Sequence, residues 1–248
     1  MACKAVAVGG GTSRSAGHIA GYIAGYIAVM CTRYISPEAG DIERHWHVGA
    51  QNPPLRWAHD VFPNYQGAFI RARRDASAAG RELVVGQWSL IPWFAKERKL
   101  KYPTSNARSE ELADKASYKH PWARGQRCII PAWAFFEPNW ESGKHVPWIF
   151  KRSDGDPWGL AGLWNTWVDK ESGEVVESYT LLTLNADAHP LMRRMHRPDT
   201  RRAPELQDKR SVVPIELADV NTWLHAPLAQ AAQLVRLAPV ACFEAAPA

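Results

Sequence analysis

Cysteine is scarce and scattered in this 248-residue chain: Cys3, Cys31, Cys128 and Cys242 stand far apart. That spacing excludes the close Cys and His ligand pairs of a structural zinc site, and it excludes the dense disulfide framework of a small secreted domain. The nearest approach to a metal pattern, His45-Trp46-His47, has no cysteine near it, so neither a metal nor an organic cofactor is expected. Reduced thiols place the protein in the cytoplasm as an expectation. Long apolar runs are lacking as well: the one ahead of Met30 is shorter than the ~20 residues of a membrane span, so no membrane association is expected. No segment recurs with a period of about 20 to 50 residues, which excludes solenoids and propellers.

What is present is a chain 46% hydrophobic, long enough to bury the core of one large domain. The net charge of +5 is compatible with a polyanionic partner without requiring one. Twelve Trp against seven Phe is the odder ratio. Most of these rings are expected in the core, and the remainder offer flat faces for unpaired bases.

The first 29 residues contain no acid and carry Gly9-Gly10-Gly11 and a duplicated Gly-Tyr-Ile-Ala. Lys4 and Arg14 precede an apolar stretch, as in a secretory signal, yet that stretch is rich in glycine. Residues 1–29 are expected to be a leader, non-native through an upstream start codon or removed from the working protein. Residues 30–243 are expected to form the domain, and 244–248, alanine and proline, a frayed tail.

Within the domain a helix is expected over 37–47, with Ser36 as its cap and Pro37 in its first position. Strands are expected at 83–90, 127–130, 132–136, 148–151, 159–164 and 179–184, all rich in β-branched, aromatic or leucine residues. Gly143 and Gly173 mark hairpin turns at 141–144 and 169–174. A second helix is expected from 214 or 215 to 224, and Pro198 and Pro204 make 197–209 an exposed loop. The fold class is therefore α+β: a single domain built on a many-stranded, mostly antiparallel sheet or open barrel with a few flanking helices.

Met30-Cys31-Thr32-Arg33 reads as the start of a protein inside a longer chain. If everything through Met30 is removed, Cys31 carries a thiol and an α-amine on adjacent carbons. An α-amine near pKa ~8 is neutral far more often at physiological pH than a lysine near ~10.4, so it attacks aldehydes more readily. The thiol can then close the imine into a five-membered thiazolidine, which an internal cysteine cannot do.

Four further segments set polar residues against an apolar background: Trp88-Ser89-Leu90-Ile91-Pro92, Asn106-Ala107-Arg108-Ser109-Glu110, Ala134-Phe135-Phe136-Glu137-Pro138, and His189 through His196. With Met30-Cys31-Thr32-Arg33, and in that order, they resemble the SRAP family, the SOS response-associated peptidase domain that binds abasic sites in single-stranded DNA. The resemblance runs from Met30 to about Leu224. Thr32 and Ser89 stand where the family has glycine, and Asp60 in His59-Asp60-Val61-Phe62-Pro63 stands where it has asparagine. The loop 197–209 separates His196 from the strand that many members place directly after it.

The resemblance implies that Cys31, once N-terminal, forms a thiazolidine crosslink with the ring-opened aldehyde of an abasic deoxyribose, a DNA-repair role in the SOS response. Attack of the same thiol on the Met30–Cys31 peptide bond would remove residues 1–30. Asn106 would orient the cysteine amine or the sugar oxygens. Glu137, flanked by Phe135, Phe136 and Pro138, is expected in a poorly solvated site with its pKa raised towards the useful range. His196 is expected to serve as general acid or base in opening the sugar or reversing the crosslink, an activity of hydrolase or lyase type. Arg33, Arg108, Arg193 and Arg194 are expected to contact phosphates, and Trp88 and Trp93 to stack bases or wedge a duplex. A monomer working on abasic single strands, nucleoid-associated when bound, is the expectation. Two rivals use the same residues: a thiol peptidase acting on other proteins through Cys31, His196 and Asn106, and a non-catalytic module for single strands.

Overall fold

A computed structural model describes residues 31–49, 55–74 and 80–248; the expected leader at 1–29 and Cys3 lie outside them. In chain order the elements are β1 (Tyr34–Ile35), α1 (Ala39–Trp46), β2 (Asp60–Val61), β3 (Gln66–Ala72), β4 (Arg81–Trp88), β5 (Asn106–Arg108), α2 (Lys119–Ala123), β6 (Arg127–Ala132), β7 (Ala134–Asn139) and β8 (Val146–Arg152). There follow β9 (Trp158–Val168), β10 (Val175–Asn185), β11 (Arg210–Val212), α3 (Val220–His225), α4 (Leu228–Ala232) and β12 (Phe243–Pro247).

Five of the strands close on themselves as a barrel. β10 lies parallel to β4, β4 antiparallel to β3, β3 to β6, β6 to β9, and β9 returns antiparallel to β10. β5 and β11 attach to β10, β5 parallel and β11 antiparallel. A second sheet of order β12-β8-β7-β1-β2 is antiparallel throughout. The α+β architecture expected from the sequence is therefore present, with the barrel closed rather than open.

The barrel is buried on both faces, which explains its sequence pattern. All six residues of β6 are buried. Its odd and even positions serve different cores, because strand side chains alternate in direction. Ile129 packs with Ile42, Trp46 and Trp223 towards the helices. Cys128 and Ile130 pack with Tyr34, Phe135, Phe150 and Trp158 towards the second sheet. A strand buried on both sides has no polar face to show.

Several local expectations are corrected. α1 starts at Ala39 with Glu38 at its cap and no side-chain cap bond. Ser36, the expected cap, instead accepts from the Trp57 indole at 2.8 Å. The second helix is split into a 3-10 turn, Leu217–Asp219, followed by α3. The expected frayed tail is a strand, since Phe243 to Pro247 pair in register with Arg152 to Trp148 of β8. An alanine-rich stretch needs only an open sheet edge, and β8 offers one. Both hairpin turns stand where Gly143 and Gly173 adopt positive φ, 77° and 74°.

Candidate active site

β1 fixes the position of Cys31. It pairs with β7 so that Tyr34 faces Phe135, and the Phe136 amide donates to the Arg33 carbonyl at 3.0 Å. Cys31 lies just ahead of β1, and the Glu137 carboxylate accepts from its backbone nitrogen. Period-two alternation puts Glu137 on the same face as the core residue Phe135, and Glu137 is only 2% exposed. The same strand captures His196: Pro138 O accepts from the His196 amide at 2.6 Å, and Asn139 bridges Met195. The imidazole Nε2 then meets Glu137 Oε2 at 2.8 Å.

Asn106 arrives from the barrel. Its parallel pairing with Leu181 of β10 and the Tyr118 hydroxyl on its carbonyl at 3.1 Å hold the backbone. Its Nδ2 donates to the Cys31 carbonyl at 2.8 Å. Two buried polar atoms of this group, Asn106 Oδ1 and His196 Nδ1, have no partner among the described residues. Leaving a buried donor or acceptor unpaired costs about 1–3 kcal/mol each.

Burial pushes the Cys31 thiol well above its ordinary pKa, and the facing Glu137 charge pushes the same way. The thiol is neutral near pH 7. Burial also raises Glu137, with the His196 imidazole and the Cys31 nitrogen pulling it back. The sulfur itself is fully enclosed, packed in the cluster with Tyr34 and Trp88. In the uncleaved chain Asn106 and Glu137 both bond the Cys31 backbone, and His196 stands behind Glu137.

The expected DNA contacts divide. Trp93 is 62% exposed, the one exposed tryptophan among the described residues, with its ring edge-on to Phe94 and His120. Trp88 is fully buried and donates to Ser105 O at 2.8 Å; it is core, and the expectation that it stacks bases is corrected. Arg33 is bonded twice to Asp60 and lies 4.1 Å over the Phe136 ring. Arg108 pairs with Asp208 at 2.6 Å and Arg194 with Glu141 at 2.9 Å. Arg193 alone of the four is exposed without a carboxylate partner among the described residues. Alanine at Trp88 is expected to cost about 3–5 kcal/mol of stability. Alanine at Trp93 is expected to leave the melting temperature in place and weaken single-strand binding by about 1–3 kcal/mol. Thermal melts and a binding titration of the two variants check this, and equal loss of affinity from both would contradict it.

Some site residues escaped the sequence reading. Glu110, quoted within its motif but given no role, pairs with buried Arg210 at 2.6 Å and accepts from the Asn185 amide, tying the segment after Asn106 to β10 and β11. Lys209 sends its amine to the carbonyls of Met195 and His196. Ser89 has φ of 149°, a region that favours the glycine it replaces. His189 does not join the group: it accepts from the Leu191 and Met192 amides and bonds Ala238 O. A cleft of about 1190 Å³ reaches His196, walled by Trp140, Glu141, Arg194 and the loop that follows the histidine. No group of three or more His, Cys, Asp or Glu residues suited to a metal occurs among the described residues, nor any helix long and apolar enough to cross a membrane.

Comparison with known proteins agrees with the motif order. The abasic site processing protein HMCES of Gallus gallus is 29% identical over 156 residues, 53% of this chain and 46% of that protein. The abasic site processing protein YobE of Bacillus subtilis (strain 168) is 35% identical over 99 residues, 40% of this chain and 44% of that protein. The matched part thus spans about half the length of these curated relatives. A crystal structure of a protein from Bordetella bronchiseptica superposes with a TM-score of 0.77 at 35% identity, over 88% of this chain and 99% of that one. The SOS response associated peptidase (SRAP) family model matches residues 30–247, and the chain belongs to that family.

Proposed function

We propose that the chain, with Cys31 as its N-terminal residue, binds single-stranded DNA carrying an abasic site and joins it covalently as a thiazolidine. The observation that carries this reading is the buried Glu137 carboxylate bonded to the Cys31 nitrogen, with Asn106 on the same residue's carbonyl and His196 on the carboxylate. A carboxylate on that nitrogen takes the proton of an α-ammonium and leaves the amine free. The amine adds to the C1 aldehyde of the opened sugar, water leaves, and an imine forms. The neutral thiol then adds to the imine carbon, its proton passing to nitrogen. The two unpaired polar atoms, Asn106 Oδ1 and His196 Nδ1, are suited to the sugar hydroxyls and the departing water.

Release of residues 1–30 follows from the same atoms. Sγ attacks the Met30 carbonyl carbon, and the C–N bond breaks as the S–C bond forms; the Glu137 carboxyl gives its proton to the departing nitrogen and takes up the thiol proton in its place. Water then hydrolyses the thioester. The protein would work as a cytoplasmic monomer that associates with damaged DNA.

The rivals fit the geometry less well. A peptidase acting on other proteins needs a thiol with a lowered pKa beside an imidazole, whereas this thiol is raised and the imidazole Nε2 bonds Glu137; attack on its own preceding carbonyl is intramolecular, and proximity supplies what the missing activation does not. A passive strand-binding module has no use for a buried Glu–His pair, which is costly to bury.

A denaturing gel of the processed protein mixed with a single strand holding one abasic site is expected to show a band that survives denaturation; its absence rejects the reading. Binding to an intact strand is expected to weaken with salt, with a log–log slope shallower than about −3. Four arginine–phosphate contacts at ~0.7 each would reach that value, and three of the four arginines already hold carboxylates. Salt-independent affinity would mean that these arginines do not face the strand.

A further inference from the structure

We propose that Lys209 is a positioning residue for His196, a buried ammonium that clamps the two carbonyls on either side of the histidine and so keeps its imidazole on Glu137. The inference rests on the proposed function for the role of His196, but the clamp itself is a matter of geometry. Lys209 is 7% exposed, and its Nζ donates to Met195 O at 2.7 Å and to His196 O at 2.6 Å. A lysine in a loop ordinarily extends into water. This one is turned inward and satisfied by backbone oxygens.

Those two oxygens belong to the peptide groups that bracket His196. The histidine has φ of 61°, a left-handed conformation that a residue with a Cβ adopts only when its surroundings hold it there. One ammonium bonded to both flanking carbonyls fixes both peptide planes. The Pro138 carbonyl fixes the third point by accepting the His196 amide.

The clamp is anchored at its own base. The Asp187 carboxylate, beyond the end of β10, accepts from the backbone amides of Lys209 at 2.8 Å and Asp208 at 2.9 Å, and Lys209 O accepts from the Ala186 amide. Residues 197–209 connect His196 to β11. The last residue of that connection returns to stabilise the backbone from which it departed. The loop is thereby closed at its two ends by one side chain, and its intervening residues are free to wall the cleft beside His196.

The test is a double-mutant cycle on the rate of crosslinking at saturating strand, with the processed wild type, Lys209→Met, His196→Ala and the pair. If Lys209 acts through His196, K209M loses on the order of 100-fold, the lower end of what a positioned acid–base group supplies. The double variant is then no slower than H196A alone, because residues acting as a unit are not additive. Strand affinity and the melting profile separate this from general unfolding. Should K209M fail to fold, Lys209→Gln, which keeps two amide donors, is read in the same cycle, with a smaller loss expected. An unchanged rate in the Lys209 variant, or losses that multiply in the pair, overturns the inference while leaving the proposed function intact. A wild type that forms no crosslink overturns both.

Discussion

Alanine at Cys31 is expected to abolish the denaturation-resistant protein–DNA band, and so is any change that keeps the Cys31 nitrogen acylated. The two losses have different chemistry and together identify an aminothiol. With alanine in a chain produced to begin at that position, the free α-amine still forms an imine, but nothing closes the ring and water reverses the adduct. With the preceding residues uncleaved, the sulfur is present but the nitrogen is an amide, whose lone pair is delocalised into the carbonyl. Because the thiol is raised by burial and by Glu137, it is a poor first nucleophile. The order amine first, thiol second follows. Mass spectrometry of the active material is expected to begin at Cys31, and active protein that retains Met1 would contradict the scheme. A peptidase working through the thiol alone would survive acylation of the nitrogen.

Glutamine at Glu137 is expected to slow crosslinking by about 10²–10⁴, the range for a positioned acid–base group, with little change in strand affinity. A single-turnover rate set against a binding titration measures the two separately; equal losses in both would assign Glu137 to binding. The same variant is expected to make the uncleaved chain more stable near neutral pH. Burial raises the folded-state pKa of Glu137 above its unfolded value. Between those two values the unfolded chain has lost the proton and the folded chain keeps it, so stability falls as pH rises through that window. Above the window the folded state carries a buried charge that glutamine does not. The melting temperature of E137Q minus that of the wild type is therefore positive at pH 7 and shrinks towards pH 4. A difference that stays constant with pH would show that Glu137 is not destabilised by burial.

Much of this site was legible because its residue types stand out locally. A glutamate after Phe135 and Phe136, an asparagine opening Asn106-Ala107-Arg108, and a cysteine after Met30 each break an apolar or start-like pattern. β3, with its sequence Gln-Gly-Ala-Phe-Ile-Arg-Ala, was not legible. It is buried on both faces, and strands of that kind lose the alternation that marks them. β12 was missed for the opposite reason: its alanines carry no strand signal, and only the free edge of β8 makes them a strand. Lys209 looked like one more surface charge, since nothing in its neighbours announces a backbone carbonyl waiting more than ten residues upstream.

The sequence by itself determined the chemical inventory of the candidate site: which thiol, which carboxylate, which imidazole, and the order of segments that places the chain in its family. Those features depend on residue identity at short range, which a linear reading preserves. Only the tertiary structure decided that Trp88 is core and Trp93 is free, that Arg33, Arg108 and Arg194 are already paired, and that Cys31 is enclosed with Glu137 on its nitrogen. Burial and pairing are set by partners far away in the chain, brought together by closure of the barrel, and no local pattern encodes them.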